Sequence, residues 1–353
     1  MAERSQKAAP RPAAGGRAVG NPSRRNRAWA PRQTYAALDL GTNNCRLLIA
    51  RPEGEGFVVV DAFSRIVRLG EGLAATGKLS DIAMDRAVAA LSICAEKLKR
   101  RHVTLVRSVA TEACRRATNG TDFIARVAKE TGIRLEIISA EQEARLAVIG
   151  CHALLEPGEG PALVFDIGGG STELVLLGEG DAPVPEVRDW FSAPWGVVSL
   201  SESEPHVGAN EEELRIAYAR MKQRATDAFA PFAARIAEHA HGPVRLLGTS
   251  GTVTTLASIH LDLPSYDRKK IDGLIVSAQD LRAVSRRLSG LSVTERATLR
   301  CIGTERADLV VAGCAILDSI LDLWPATRLS VADRGIREGI LRGLMAADTG
   351  VPA

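Results

Sequence analysis

Two stretches of this chain are built to one plan, and that duplication constrains the fold more than any other feature. Residues 164–177 read VFDIGGGSTELVLL: an apolar run ending in Asp166, then Gly168, Gly169 and Gly170, then Ser171, Thr172 and Glu173, then a second apolar run. Residues 35–50 read YAALDLGTNNCRLLIA, with Asp39, Gly41, Thr42, Asn43 and Asn44 in the corresponding places. Two β-rich runs joined by a glycine turn predict a hairpin. Glycine lets the backbone approach a bulky anion and present its N–H groups, and hydroxyls add donors. Carboxylates beside the turn would repel a bare polyphosphate, so they imply a bridging cation. One such turn alone also reads as a tight hairpin with a capping serine. Its repetition points to two similar α/β halves facing each other across a phosphate.

A chain of 353 residues is long enough for two domains and a sizeable core. No apolar run reaches membrane-spanning length, and the basic N-terminus lacks the apolar segment of a secretory signal. The cysteines Cys45, Cys94, Cys114, Cys151, Cys301 and Cys314 are scattered without C-x-x-C spacing, which reads as reduced thiols in a cytoplasm. The histidines show no zinc-type spacing. Residues 1–33 hold eight Lys/Arg against Glu3, so this segment's +7 leaves the rest of the chain at −4 of the total +3. Rich in Ala, Pro, Gly and Arg and without periodicity, the segment reads as a disordered extension.

Further along, residues 57–63 read as a strand, and Ser80 caps a predicted helix that runs to Arg100. A strand over 103–110 leads into Thr111 and Arg115, in the position past a strand end where ligands sit in α/β sheets. A helix over 123–130 and a strand over 134–139 follow. Glu141 and Glu143 then open another helix, where the dipole favours acids, so each has a capping role available beside a role as general base. The second half repeats the alternation, with strands over 193–201 and 244–247 and a long helix over 210–239. The segment GTSGTVTTL, with Gly248, Thr249, Gly251 and Thr252, reads as an anion nest at a helix N-terminus. It is neither a Walker A loop nor a hydrolase nucleophile elbow. The basic loop over 266–273 carries Lys269 and Lys270. Helices are predicted over 305–323 and from Asp333, with a short strand over 329–331 between them.

These motifs, with RLGEGL, VATEACRRATN, EIISAEQEARLAVIG, ERADLVVAG and DRGIREGIL, appear in the order seen in the exopolyphosphatase / guanosine pentaphosphate phosphohydrolase (Ppx/GppA phosphatase) family, which the chain closely resembles from Tyr35 to about Leu344. The resemblance implies a two-domain actin-like, Hsp70-like and sugar-kinase-like fold, a duplicated ribonuclease H-like α/β architecture with the substrate in the interdomain cleft. On this basis residues 34–140 form domain I, with a C-terminal helix over 335–348 packing back on it, and residues 141–334 form domain II. The implied reaction is Mg²⁺-dependent hydrolysis of a terminal phosphate, with Glu143 as the base that polarises water. Asp166 and Glu173 would position metal and water, and Gly168, Gly169, Gly170, Ser171 and Thr172 would form the phosphate loop. Asp39, Gly41, Thr42, Asn43, Asn44 and Arg46 would form the first loop, Arg115 a phosphate contact, and Gly248, Thr249, Gly251 and Thr252 the third loop.

Two departures stand out: Thr42 and Asn44 replace serines of the usual first loop, and Ser250 replaces a glycine. The chain also lacks the helical C-terminal region with a histidine–aspartate motif found in long family members, so tight processivity on long polyphosphate is not implied. A cleft lined by Arg46, Arg115, Lys269 and Lys270 suits inorganic polyphosphate, with guanosine pentaphosphate as the alternative substrate. A kinase of the same superfold would not need Glu143 where it stands, and a non-catalytic phosphate or alarmone sensor would gain little from Glu143, Asp166 and Glu173 together. The remaining expectations are a cytoplasmic homodimer that engages neither membrane nor specific nucleic acid.

Overall fold

The computed structural model describes residues 33–54, 56–178, 185–239 and 244–349; the basic N-terminal extension, apart from Gln33, lies outside the described residues. The first sheet contains β1 (Tyr35–Leu40), β2 (Asn44–Glu53), β3 (Gly56–Ile66), β4 (Leu105–Ala110) and β5 (Glu136–Ile137), in the order β3-β2-β1-β4-β5. The second contains β6 (Ala162–Ile167), β7 (Thr172–Leu177), β8 (Val187–Ala193), β9 (Arg245–Thr249), β10 (Ile275–Ser277) and β11 (Arg328–Ala332), in the order β10-β11-β9-β6-β7-β8. Read from β8, this is the first order again, with β10 added antiparallel at the edge. In each sheet an antiparallel three-strand meander continues into parallel strands, β1 beside β4 and β6 beside β9. This duplicated α/β topology is the actin-like fold class.

The helices are α1 (Leu73–Thr76), α2 (Asp81–Arg100), α3 (Glu112–Arg116), α4 (Gly120–Thr131), α5 (Ala140–Cys151), α6 (Val197–Ser203), α7 (Glu211–Ile236), α8 (Gly251–His260), α9 (Arg268–Ile271), α10 (Ala278–Ser289), α11 (Val293–Ala297), α12 (Val310–Leu323) and α13 (Ile336–Thr349). Along β1, side chains alternate between two cores, as a period of two requires. Leu38 and Leu40 join Leu91 of α2 and Phe123 of α4, whereas Tyr35 and Ala37 join Ile340 and Leu341 of α13. With both faces covered, the strand reads as an apolar run broken only by Asp39. The outer face of the second sheet packs Phe165 and Leu174 with Phe229 and Phe232 of α7 and Ile316 of α12.

Helix α5 lies between the sheets. Its Leu146 belongs to the core of β1 and α13, while Ala144, Val148 and Cys151 pack on Val164, Val175 and Leu247 of the second sheet. It meets α13 backbone to backbone. A Cβ on Gly150 would stand 2.0 Å from Gly335 O, and one on Gly339 2.1 Å from Leu146 O. Glycine at these two positions is what permits the close crossing.

Several local expectations are corrected. The strand predicted over 193–201 ends at Ala193, and α6 follows it. The β-branched Val197 and Val198 favour extension, but Ser199 Oγ accepts the Gly196 N–H (2.9 Å) and sets a helix start. The strand over 134–139 shrinks to two residues, and the helix over 305–323 begins only at Val310. The basic loop over 266–273 contains the short α9, on which Lys269 and Lys270 are exposed. Among the described residues, no helix is long and apolar enough to cross a membrane.

Candidate active site

The two repeated hairpins have the same turn. Gly41 N–H donates to Asn44 O, and Gly168 N–H donates to Ser171 O, both at 2.9 Å. The turn carbonyls are then taken up by main-chain amides and one serine hydroxyl from elsewhere. Thr42 O accepts from Gly70 N–H (2.9 Å), and Asn43 O from Val67 (2.8 Å) and Arg68 (3.0 Å). In the second turn Gly168 O accepts from Val197 N–H (2.9 Å), Gly169 O from Val198 N–H (2.8 Å), and Gly170 O from Ser199 Oγ (3.0 Å). In a planar trans peptide the N–H points opposite to the C=O. The clamp by α6 therefore turns the amides of Gly169, Gly170 and Ser171 away from α6. Among the described residues, the N–H groups of Thr42, Asn43, Gly169 and Gly170 make no hydrogen bond. Both turns line one cleft.

Here the glycines have a role beyond approach to an anion. A Cβ on Gly169 would lie 2.9 Å from Thr42 Cβ and 3.0 Å from Asn43 N, and one on Gly170 2.7 Å from Thr42 Oγ1. The two turns touch, and the missing side chains are what let them.

Register places the acids. Asp39 stands opposite Arg46 and Asp166 opposite Glu173, each pair flanking its turn. Glu173 is 2% exposed, and its Oε1 accepts from Ser171 Oγ (2.7 Å) and Ser192 Oγ (2.9 Å). Glu143, 6% exposed, reaches the cleft from the first turn of α5, whose start is fixed by a Ser139/Gln142 capping box. Burial, then the charge of Glu173, push Glu143 well above the ordinary carboxylate range, with Arg115 opposing. Burial and Asp166 push Glu173 up to about 7, against its two hydroxyl donors. Burial and Asp39 push Asp166 up to about 6, against Arg46. Asp39 is raised too, and its Oδ1 is buried without a hydrogen-bond partner.

These shifts predict a stability signature. A carboxylate whose pKa is raised by folding binds more protons in the folded state, so stability falls as pH climbs from the unfolded value to the folded one. For Asp166 and Glu173 that window runs from about 4 to about 7. His206, held down to about 4 by burial, works the other way up to its ordinary value near 6.5. The readout is therefore a difference: in chelator, Tm of the parent should fall relative to Glu173→Gln between pH 5 and 7.5. Parallel profiles would show that folding does not raise the Glu173 carboxyl.

The third loop closes the far side of the cleft. Ser250 caps α8 by accepting the Thr252 N–H (3.2 Å) and has φ +114°, a conformation that favours glycine and costs a serine about 1–3 kcal/mol. The backbone thus keeps a glycine conformation with a hydroxyl added. Arg46 reaches across from β2, with Nη2 3.6 Å from where a Cβ on Gly251 would be. Thr249 and Thr252 line the cleft, although Thr249 Oγ1 donates to Arg334 O (2.6 Å).

Three expected contacts lie elsewhere. Gly248 packs inside β9 with its Cβ position 2.6 Å from Phe165 Cζ, Thr172 Oγ1 donates to Trp195 O (2.7 Å), and Arg115 is tied to Glu112 and Glu143. None of the three lines the cleft, and neither do Lys269 and Lys270. The cations that do are Arg46, Arg306, Arg334 and Arg337. Arg337, in the first turn of α13, was missed, because nothing local distinguishes it from a surface arginine. Its acidic neighbour in DRGIREG, Glu338, is 2% exposed and accepts the Gly335 N–H (2.9 Å).

Among the described residues, no group of three or more His, Cys, Asp or Glu is arranged to hold a metal ion by itself. Mg²⁺ usually takes one or two carboxylates and completes its shell with water and phosphate oxygens. The facing Asp166 and Glu173, with the unpartnered Asp39 Oδ1 nearby, fit that kind of ion.

Fold and cleft together define the class: a duplicated α/β protein that gathers free amides, arginines and buried acids between its halves. The chain belongs to the Ppx/GppA phosphatase family, whose model matches residues 48–347. It is 33% identical over 324 residues to exopolyphosphatase 2 of Mycobacterium tuberculosis, covering 88% of this chain and 98% of that one. A solved Ppx/GppA family member from Aquifex aeolicus is 29% identical, with a TM-score of 0.71 over 90% of this chain and 98% of that one. A solved exopolyphosphatase from Cytophaga hutchinsonii is 26% identical, with a TM-score of 0.77 over 91% and 99%.

Proposed function

We propose that this protein is an exopolyphosphatase that removes the terminal phosphate of inorganic polyphosphate, using a water aligned by Glu143. The observation that carries the proposal is the meeting of buried Glu143 and Glu173 with two turns in which the amides of Thr42, Asn43, Gly169 and Gly170 have no partner among the described residues. Phosphoryl transfer asks a protein mainly for positioning and charge neutralisation. The amides of Thr42, Asn43, Gly169 and Gly170 would grip terminal phosphate oxygens, and Arg46 and Arg337 would offset the charge of the chain behind them. Glu143 would orient the water and accept its proton. Asp166 and Glu173 would hold Mg²⁺, which when bound neutralises phosphate charge.

A second reading, hydrolysis of guanosine pentaphosphate at the same site, is favoured by one observation. Beyond the turns the cleft continues to Leu309, Val310 and Ile336, apolar side chains that a bare polyanion does not need.

The test is phosphate release with Mg²⁺ from long polyphosphate, short polyphosphate, guanosine pentaphosphate and ATP. Fastest release from polyphosphate is expected. Faster release from the guanosine substrate would favour the second reading, and tight binding without release from any substrate would mark a sensor.

A further inference from the structure

We propose that Arg115 is a positioning residue that fixes which oxygen of Glu143 meets the water, and that it does not bind substrate. The inference rests on the hydrolase reading above. Arg115 Nη1 donates to Glu143 Oε2 (3.1 Å) and to Ile138 O (2.8 Å), and Nη2 donates to Glu112 Oε2 (2.8 Å). Ile138 directly precedes the Ser139 cap of α5, so the same guanidinium grips the base and the start of its helix.

The other end of the contact leads to the glycine turn. Glu112 opens α3, and its Cγ lies 2.9 Å from where a Cβ on Gly170 would stand. Arg115 therefore links the helix that carries the base to a carboxylate packed against the second turn. Its donors serve three acceptors, a pattern that the planar guanidinium fork supplies and an ammonium does not reproduce. The guanidinium groups of Arg46 and Arg337, which do line the cleft, have no hydrogen bond or ion pair with the described residues. They are the cations left for a polyanion, and Arg115 is already engaged. With Oε2 of Glu143 held, Oε1, which has no hydrogen bond to the described residues, is the oxygen left for the water.

The test compares kcat and KM for polyphosphate in the parent, Glu143→Gln, Arg115→Gln, Arg115→Lys and Arg46→Gln. Activity in the parent that collapses in Glu143→Gln establishes the underlying reading, and an inactive parent would overturn both claims. Arg115→Gln should then lose about 10²-fold in kcat, the scale of a misplaced catalytic group, with KM nearly unchanged. Arg46→Gln should instead raise KM. Arg115→Lys keeps the charge but not the fork, so it should still melt cooperatively from a folded state and yet lose most of the kcat. A rise in KM at unchanged kcat for either Arg115 variant would make Arg115 a phosphate contact and overturn the proposal.

Discussion

Glu143→Gln is expected to slow phosphate release by about 10²–10⁴-fold, the range spanned by removal of a general base, while leaving the protein more stable. The amide keeps the shape of the side chain and an oxygen for Arg115, so what disappears is the charge. That charge is costly to fold: burial and Glu173 both disfavour it, and the Arg115 guanidinium offsets them only in part. Removing it should raise Tm above neutral pH and tighten the grip on polyphosphate, because one like charge leaves the cleft. Loss of activity with gain of stability is the pattern expected where strain serves function. Phosphate release, equilibrium binding and thermal melts on one preparation decide the matter. Activity within tenfold of the parent would remove Glu143 from the chemistry, and lost activity with a lowered Tm would mean a damaged fold.

Gly339→Ala should destabilise the protein although helix propensity alone predicts the reverse. Alanine in place of glycine inside a helix gains about 1 kcal/mol. Here the new methyl would stand 2.1 Å from Leu146 O, a backbone atom that cannot rotate away. Forcing the helices apart costs about 1–3 kcal/mol and occasionally more, so a net loss and a lower Tm are expected. Gly343 supplies the control on the same helix, since a Cβ there meets nothing within 4 Å. Gly343→Ala should raise Tm. Because Glu143 sits one turn ahead of Leu146 on α5, Gly339→Ala should also depress kcat at temperatures where the protein remains folded. A Tm that rises in both variants would mean that the crossing is looser than these distances imply.

The hairpins were legible because their signal is local: alternating apolar residues, an acid, a glycine and a polar exit lie within a few neighbours of one another. The same locality explains the misreadings. Val197 and Val198 carry strand propensity, and what overrides it is contact between α6 and the glycine turn. Glu143 carries the local signature of a helix start, and only the family resemblance pointed to chemistry. The second role of Gly169 and Gly170 was illegible because their partner, Thr42, is far away in the chain. Gly150 and Gly339 were silent for the same reason. Arg115 was placed in the right neighbourhood by its position past a strand end, and helical spacing brings it to Glu112, but Ile138 and Glu143 lie beyond β5, where no periodicity points.

The main-chain clamps on the two turns have a consequence for how such a site can change over time. Each turn is aimed through its carbonyls by amides of residues 67–70 or of the start of α6, with the Ser199 hydroxyl added on Gly170 O, and amides belong to the backbone whatever side chain is attached. The side chains at 42 and 44 are thus released from the task of orienting the turn. Threonine and asparagine can stand there in place of serines while the amides keep their direction. The aim stays with the backbone, so substitutions at these positions can change the wall of the cleft without rebuilding the cradle, within the limit that position 42 packs against Gly169 and Gly170.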